Sequence, residues 1–165
     1  MKSIIRLSGL LVVLLIFSPV DVSAQSSDQD DAQKAVLVTG ASTGIGRRIT
    51  EVFADKGYFV YAGARKQADL DSLNAMENVQ AIKLDVTEQK QIDAAVKTVE
   101  KGGRGLHGLI NNAGVFIGGP LLDVDLDEYL WLMDVNVNGV YRMNQAFGPM
   151  IIESKGRIST IGSIS

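Results

Sequence analysis

The chain has 165 residues, 46% of them hydrophobic, and a formal net charge of −3 at pH 7. This length suits one ordinary domain with a buried core, and the charge disfavours a nucleic-acid partner, which would need clustered Lys and Arg. The sequence has no cysteine and one histidine, so disulfides and a thiol nucleophile are excluded and we expect no metal site.

Residues 1–24 have the features of a secretory signal peptide. Basic residues precede an apolar run at 7–20, and small residues follow where a signal peptidase could cut. The run is shorter than the roughly 20 apolar residues of a spanning helix, so a cleaved signal is favoured over an uncleaved membrane anchor. We therefore expect an exported, periplasmic or membrane-anchored protein, with a cytoplasmic location as the alternative. Residues 25–33 are polar and acidic and are predicted to form a solvated spacer.

From residue 34 onward, short β-branched runs alternate with segments of helical period. This alternation is typical of βαβ units around a parallel sheet, so we predict one domain over residues 34–165. Strands are predicted at Ala35–Thr39, Tyr58–Gly63, Val79–Leu84, Leu106–Asn111 and Arg157–Ile161, and the first two helices at Ile45–Lys56 and Ala68–Met76.

Two further helices are predicted after the third and fourth strands. The third follows an N-cap at Thr87 and ends at the glycines that follow Lys101. It should bury four residues: Ile92, Ala95, Val96 and Val99. The fourth begins near Asp125 or Asp127, with Pro149 at a bend or near its end. Its apolar stripe contains Leu130, Met133, Val137 and Val140.

Short right-handed connections give this pattern a Rossmann-like, doubly wound parallel sheet. The expected strand order is 3-2-1-4-5. In such a fold ligands bind outside the carboxyl ends of the strands, at the switch point between strands 1 and 4. We therefore expect the functional residues in the loops that follow the strands.

A glycine-rich turn joins the first predicted strand to the first predicted helix. Its glycines permit positive φ and let the backbone approach a phosphate at the helix N-terminus, where the dipole favours negative charge. Such a turn can simply build a tight loop, but its place between strand and helix favours a dinucleotide. The absence of a Gly-Lys-Ser/Thr sequence disfavours ATP. The expected contacts are Gly40, Ser42, Gly44, Ile45 and Gly46.

The spacing Thr-Gly-x-x-x-Gly-x-Gly resembles the short-chain dehydrogenase/reductase family, and later motifs extend this resemblance in order. Residues 84–86 are similar to the family's adenine-contacting turn, residues 111–114 to its Asn-Asn-Ala-Gly motif, and residues 156–163 to its fifth strand. The resemblance implies cofactor contacts at Asp85, Val86, Asn112, Ala113 and Gly114.

The end of strand 2 predicts which nicotinamide is preferred. An acidic residue there would bind the ribose hydroxyl of NAD, whereas Arg accommodates the 2′-phosphate of NADP. The chain has Arg65 and Lys66 and no carboxylate at this point. Because a guanidinium is a permanently charged, bidentate fork for phosphate, we predict NADP(H), with NAD(H) less favoured. The alternative is that both basic residues are merely solvated.

The family resemblance also implies a reaction. In the family a tyrosine exchanges a proton with the substrate oxygen, a lysine four residues later lowers the pKa of that tyrosine, a serine orients the oxygen, and an asparagine completes a proton path. Here Ser163 would be the orienting serine and Asn136 the relay asparagine. Each has a structural alternative, because Ser163 could merely cap a strand and Asn136 could bond the backbone of its own helix. No tyrosine in the sequence is followed by lysine at that spacing. The chain is therefore expected to be an inactive, C-terminally truncated fragment of the enzyme.

The favoured function is an NADP(H)-dependent carbonyl reductase or alcohol dehydrogenase that acts on small molecules and is homo-oligomeric at full length. One alternative is a non-catalytic NADPH-binding sensor, and a disfavoured one is an epimerase or dehydratase of nucleotide sugars. A Tyr-x-x-x-Lys motif beyond residue 165 would favour the reductase over the sensor. His107, near the fourth strand, is expected to be structural.

Overall fold

The computed structural model describes residues 33–163. The predicted signal peptide and nearly all of the predicted spacer therefore lie outside the described residues. Within residues 33–163, no helix has both the length and the apolar character that a membrane crossing requires.

Five parallel strands form a single sheet in the order 3-2-1-4-5, which confirms the predicted topology. The first strand pairs with the second on one side and the fourth on the other, so the sheet is doubly wound about this strand. The strands are β1 (Ala35–Val38), β2 (Phe59–Ala64), β3 (Val79–Lys83), β4 (Gly108–Asn111) and β5 (Arg157–Thr160).

Helices cover both faces of the sheet, which is why β1 is apolar throughout and entirely buried. Leu37 packs with Ile92 and Phe147 on one face, while Val38 packs with Leu73 on the other. The helices are α1 (Gly44–Asp55), α2 (Gln67–Asn74), α3 (Gln89–Gly102), α4 (Leu126–Met133) and α5 (Gly139–Glu153).

The third helix confirms its predicted buried face but not its predicted cap. Ile92, Ala95 and Val99 are buried and Val96 is partly buried. The helix begins after Glu88, whose side chain makes no capping bond. Thr87 is not the cap because it lies one residue before the N-cap position, which Glu88 occupies. Its N–H and hydroxyl instead donate to the Asp85 carboxylate, at 3.0 and 2.8 Å, in an Asx-type turn.

The predicted fourth helix contains a π turn that the sequence pattern did not predict. The segment begins as predicted, with Asp125 accepting a hydrogen bond from the Asp127 N–H, and Pro149 lies near the end of α5. Between α4 and α5, however, lies a π turn at Asp134–Asn138. A π turn holds one residue more than an α-helical turn, so it rotates the residues on either side out of a common stripe.

The stripe predicted for this segment is accordingly not the buried one. Leu130 and Val137 are 53% and 50% exposed, while Met133 and Val140 are only partly buried. The side chains that face the core are instead Val135, Met143, Phe147 and Ile151.

Candidate functional site

A cleft of about 380 Å³ opens at the carboxyl edge of the sheet. It lies where the loops after β1 and β4 meet, which is the predicted switch point. Ten of the eleven predicted cofactor contacts line it, all except Gly44. The lining residues are Gly40, Ser42, Thr43, Ile45, Gly46, Ala64, Arg65, Leu84, Asp85, Val86, Asn112, Ala113, Gly114, Val115 and Val135.

Three glycines shape the first wall of the cleft. Gly40 and Gly44 have φ of +63° and +56°, where a residue with a Cβ is strained. A Cβ on Gly44 would have no atom within 4 Å, whereas a Cβ on Gly46 would collide with the Gly40 carbonyl and the Asn112 amide. Thr43, the N-cap of α1, makes no side-chain capping bond. The loop therefore leaves backbone accessible beside a helix N-terminus, as a phosphate cradle requires.

Thr39 and Asn112 lock the loops after β1 and β4 together. The Thr39 hydroxyl, which is 1% exposed, accepts hydrogen bonds from the N–H groups of Asn112 and Ala113, both at 2.9 Å. In return, the Asn112 amide donates to the carbonyl oxygens of Thr39 and Gly40, both at 3.0 Å. The two walls of the cleft are thus held at a fixed separation. Sequence reasoning missed this role of Thr39, although a hydroxyl at the end of an apolar strand was a usable signal.

Arg65 lies at the rim of the cleft, as predicted. One of its guanidinium nitrogens, Nη1, is 3.7 Å from Oδ2 of Asp85, and the Arg65 side chain is 62% exposed. An ion pair this exposed is worth only about 0–1 kcal/mol. The guanidinium can therefore exchange Asp85 for another anion at little cost.

Asn136 projects from the π turn and binds the loop after β4. Its Oδ1 accepts from the Val115 N–H and its Nδ2 donates to the Val115 carbonyl, both at 2.8 Å. The amide thus satisfies both backbone groups of one residue on the cleft wall. It does not bond the backbone of its own helix, which was the structural alternative for an asparagine there.

Ser163 follows β5 at the same edge of the sheet. The register of β4 and β5 pairs Asn111 with Thr160, and the Ile161 N–H donates to the Asn111 carbonyl. The chain therefore runs past Asn112 before it reaches Ser163. Ser163 is exposed and does not line the cleft itself.

His107 lies at the opposite edge of the sheet from the cleft, because it immediately precedes β4. Burial, with a smaller contribution from the charge of Lys34, lowers the pKa of its imidazole below the usual 6.5. Its Nδ1 is buried without a hydrogen-bond partner. This position gives His107 no contact with the cleft.

Residues 34–165 match the family model described as short chain dehydrogenase. The NADPH-dependent 1-acyldihydroxyacetone phosphate reductase of Schizosaccharomyces pombe is 40% identical over 136 residues, which cover 81% of this chain and 46% of that protein. The chain spans about half the length of the curated relatives it matches.

Solved structures agree with this match. A short-chain dehydrogenase from Streptomyces avermitilis superposes with a TM-score of 0.75 at 34% identity, covering 81% of this chain and 50% of that one. An actinorhodin polyketide ketoreductase with NADPH superposes with a TM-score of 0.74 at 29% identity, covering 82% and 54%. The parallel sheet and its strand order are thus shared with short-chain dehydrogenases that are also similar to this chain in sequence.

Proposed function

The chain belongs to the short-chain dehydrogenase family, and from that premise we propose that it binds NADP(H) for hydride transfer between the nicotinamide and a carbonyl or alcohol carbon of a small molecule. The observation that carries the proposal is the glycine-lined cleft at the switch point, with Arg65 at its rim. Two similar proteins support the choice of cofactor, since one is named as NADPH-dependent and another was solved with NADPH.

The cleft suits such a dinucleotide because the glycines of its first wall leave backbone accessible beside a helix N-terminus. A Cβ on Gly44 would have no atom within 4 Å, so there is open space beside this glycine. The first-turn N–H groups of α1 would face a diphosphate bound there. Arg65 would bind the 2′-phosphate, and Asp85 and Val86 would contact the adenine. The nicotinamide, when bound, supplies or accepts the hydride. The expected diphosphate contacts are Gly40, Ser42, Gly44, Ile45 and Gly46, with Asn112, Ala113 and Gly114 on the opposite wall.

We propose separate roles for Ser163 and Asn136. A serine hydroxyl can both donate and accept a hydrogen bond, so Ser163 would orient the substrate oxygen from the end of β5. Both amide atoms of Asn136 are bound to Val115, so its direct contribution is to fix the loop after β4. Any part that Asn136 takes in a proton path would depend on that fixed position.

Self-association remains part of the proposal. Several apolar side chains of α4 are about half exposed, and a second copy of the chain would cover them. They are Leu126, Tyr129, Leu130 and Trp131.

Replacing Arg65 tests the choice of cofactor. In Arg65→Ala we expect NADPH affinity to fall by about 10–100-fold, because charge-assisted hydrogen bonds to a phosphate are lost. NADH has no 2′-phosphate, so its affinity should change by less than about threefold. Titration calorimetry or NADPH fluorescence measures both. Lys66→Ala is the matched control, because it removes the neighbouring positive charge and should change neither affinity by more than about threefold.

Two results would count against the assignment. Equal losses for NADPH and NADH in Arg65→Ala would mean that Arg65 does not recognise the 2′-phosphate. If the unmodified protein bound neither dinucleotide, the oxidoreductase proposal itself would fail.

A further inference from the structure

The π turn between α4 and α5 determines where Asn136 points. It closes through a hydrogen bond from the Gly139 N–H to the Asp134 carbonyl. If this segment adopted α-helical hydrogen bonding, the turn would hold one residue fewer. The residues on one side of it would then rotate by about 100° relative to those on the other. Such a rotation would take the Asn136 amide away from Val115. The position of Asn136 therefore depends on whatever keeps the turn in its present register.

Arg142 bonds the turn at its first residue. Its Nη2 donates to the Asp134 carboxylate at 2.7 Å, and its Nη1 lies 3.4 Å from the Asp134 carbonyl oxygen. That carbonyl is the acceptor that closes the π turn. Nη1 also lies 3.5 Å from the carbonyl oxygen of Val86. One side chain thus connects the π turn with the loop after β3.

The contact between the π turn and that loop is close as well as polar. A Cβ on Gly139 would lie 2.6 Å from Cγ2 of Val86, so the absence of a side chain lets Val86 pack against the turn. Val86 lines the cleft, and so does Val135 from within the turn. The π turn therefore forms part of the cleft wall and contacts the loops on both sides of it.

We propose that Arg142 is a positioning residue whose planar fork holds the π turn in register, and thereby keeps Asn136 on Val115 and Val135 in the cleft wall. A guanidinium can reach a carboxylate and a carbonyl together, whereas a lysine ammonium is a single point of charge. The importance of this arrangement for catalysis rests on the proposed function. The mechanical link from Arg142 to Val115 does not.

Amide hydrogen exchange of Val115, followed by NMR, reports the link directly, because the acceptor of that N–H is Oδ1 of Asn136. In Arg142→Met we expect exchange at Val115 to accelerate by about tenfold through local opening. Arg142→Lys keeps the positive charge beside Asp134, so its thermal midpoint of unfolding should be that of the unmodified chain even if Arg142→Met lowers it. Because a lysine ammonium lacks the rigid planar fork whose two nitrogens bond the carboxylate and the carbonyl separately, exchange at Val115 should stay at least about fivefold above the unmodified chain.

Arg47→Met is the matched control. Arg47 pairs with Glu51 on α1, and the exposures of that pair, 28% and 35%, match those of Arg142 and Asp134, 27% and 35%. We expect Arg47→Met to change exchange at Val115 by less than about twofold. An equal acceleration in Arg47→Met would mean general destabilisation and would overturn the proposal. So would an Arg142→Lys variant in which thermal midpoint and exchange recover together, because charge alone would then suffice.

NADPH binding by the unmodified chain separates this inference from the proposed function. Binding together with unchanged exchange at Val115 in both Arg142 variants would overturn the positioning role alone. If NADPH does not bind but Val115 exchanges faster in both variants, the proposed function fails and the mechanical link stands.

Discussion

The strand at the centre of the sheet and the helix before the π turn differ in how they treat apolar residues. All four residues of β1 are buried, whereas α4, over its eight described residues, buries none. Both segments are rich in apolar side chains, so composition does not distinguish them. Their positions in the fold distinguish them, because helices cover both faces of the sheet at β1, whereas α4 is not covered on both sides in this way. Burial in both regions therefore depends on which neighbours the fold places beside them, and not on the apolar content of the segment alone.

Phe147→Ala sharpens this comparison with the largest expected effect. Phe147 is 0% exposed on α5, and Val137, on the stripe that the sequence predicted, is 50% exposed. We expect Phe147→Ala to lower the free energy of unfolding by about 3–5 kcal/mol. Val137→Ala should change it by no more than about 0.5 kcal/mol. Urea denaturation measures both free energies. A larger loss of stability in Val137→Ala than in Phe147→Ala would instead support the buried stripe that the sequence predicted.

Gly46→Ala and Gly139→Ala carry the comparison to a glycine that follows β1 and a glycine that follows α4. A Cβ at Gly46 would collide with the Gly40 backbone, whereas one at Gly139 would collide with the Val86 side chain, at 2.6 Å from its Cγ2 and 3.1 Å from its Cβ. Because the backbone cannot move aside, we expect Gly46→Ala to cost about 3 kcal/mol and to abolish NADPH binding. Gly139→Ala should cost about 1–2 kcal/mol, because the Val86 side chain must shift, a cost that is partly offset by the helix propensity of alanine. Thermal unfolding and NADPH titration check this order, which equal costs would contradict.

The smallest expected effect concerns His107, which lies at the amino ends of the strands, far from the cleft. Its pKa is lowered in the folded protein, first by burial, so folding favours the neutral imidazole. This contribution to stability is full above the unfolded pKa of 6.5 and is lost as the pH falls through that value towards the folded pKa. His107 is the sole histidine. We therefore expect the thermal midpoint to fall on acidification in this range and to fall less in His107→Gln. Parallel curves for the two proteins would refute this account.

The sequence was sufficient to predict the sheet order and the position of the cleft. Both depend on short-range signals: an apolar strand, a glycine turn at Gly40–Gly46, and then a helix. Arg65 was predicted because it follows the second strand directly, and Asp85 because residues 84–86 resemble the family's adenine-contacting turn.

The π turn and its partners were beyond the reach of sequence periodicity. One inserted residue changes the phase of a helix without changing its composition, so Val137 was predicted to be on the wrong side. Thr87 was predicted as the cap, but the helix begins one residue later, after Glu88, and Thr87 forms a turn with Asp85 instead. The contacts of Arg142 with Val86 join residues far apart in sequence, and no local pattern predicts them.

The hydrogen bonds between Thr39 and Asn112 also bear on how the protein is made. They join residues 73 positions apart, so forming them closes a long loop at a substantial entropic cost. Contacts of such separation slow folding, and during synthesis Thr39 emerges from the ribosome well before its partner. A nascent chain that already contains the glycine turn would therefore hold no finished pocket. A ligand that binds only when the loops after β1 and β4 have joined would stabilise the folded chain by mass action.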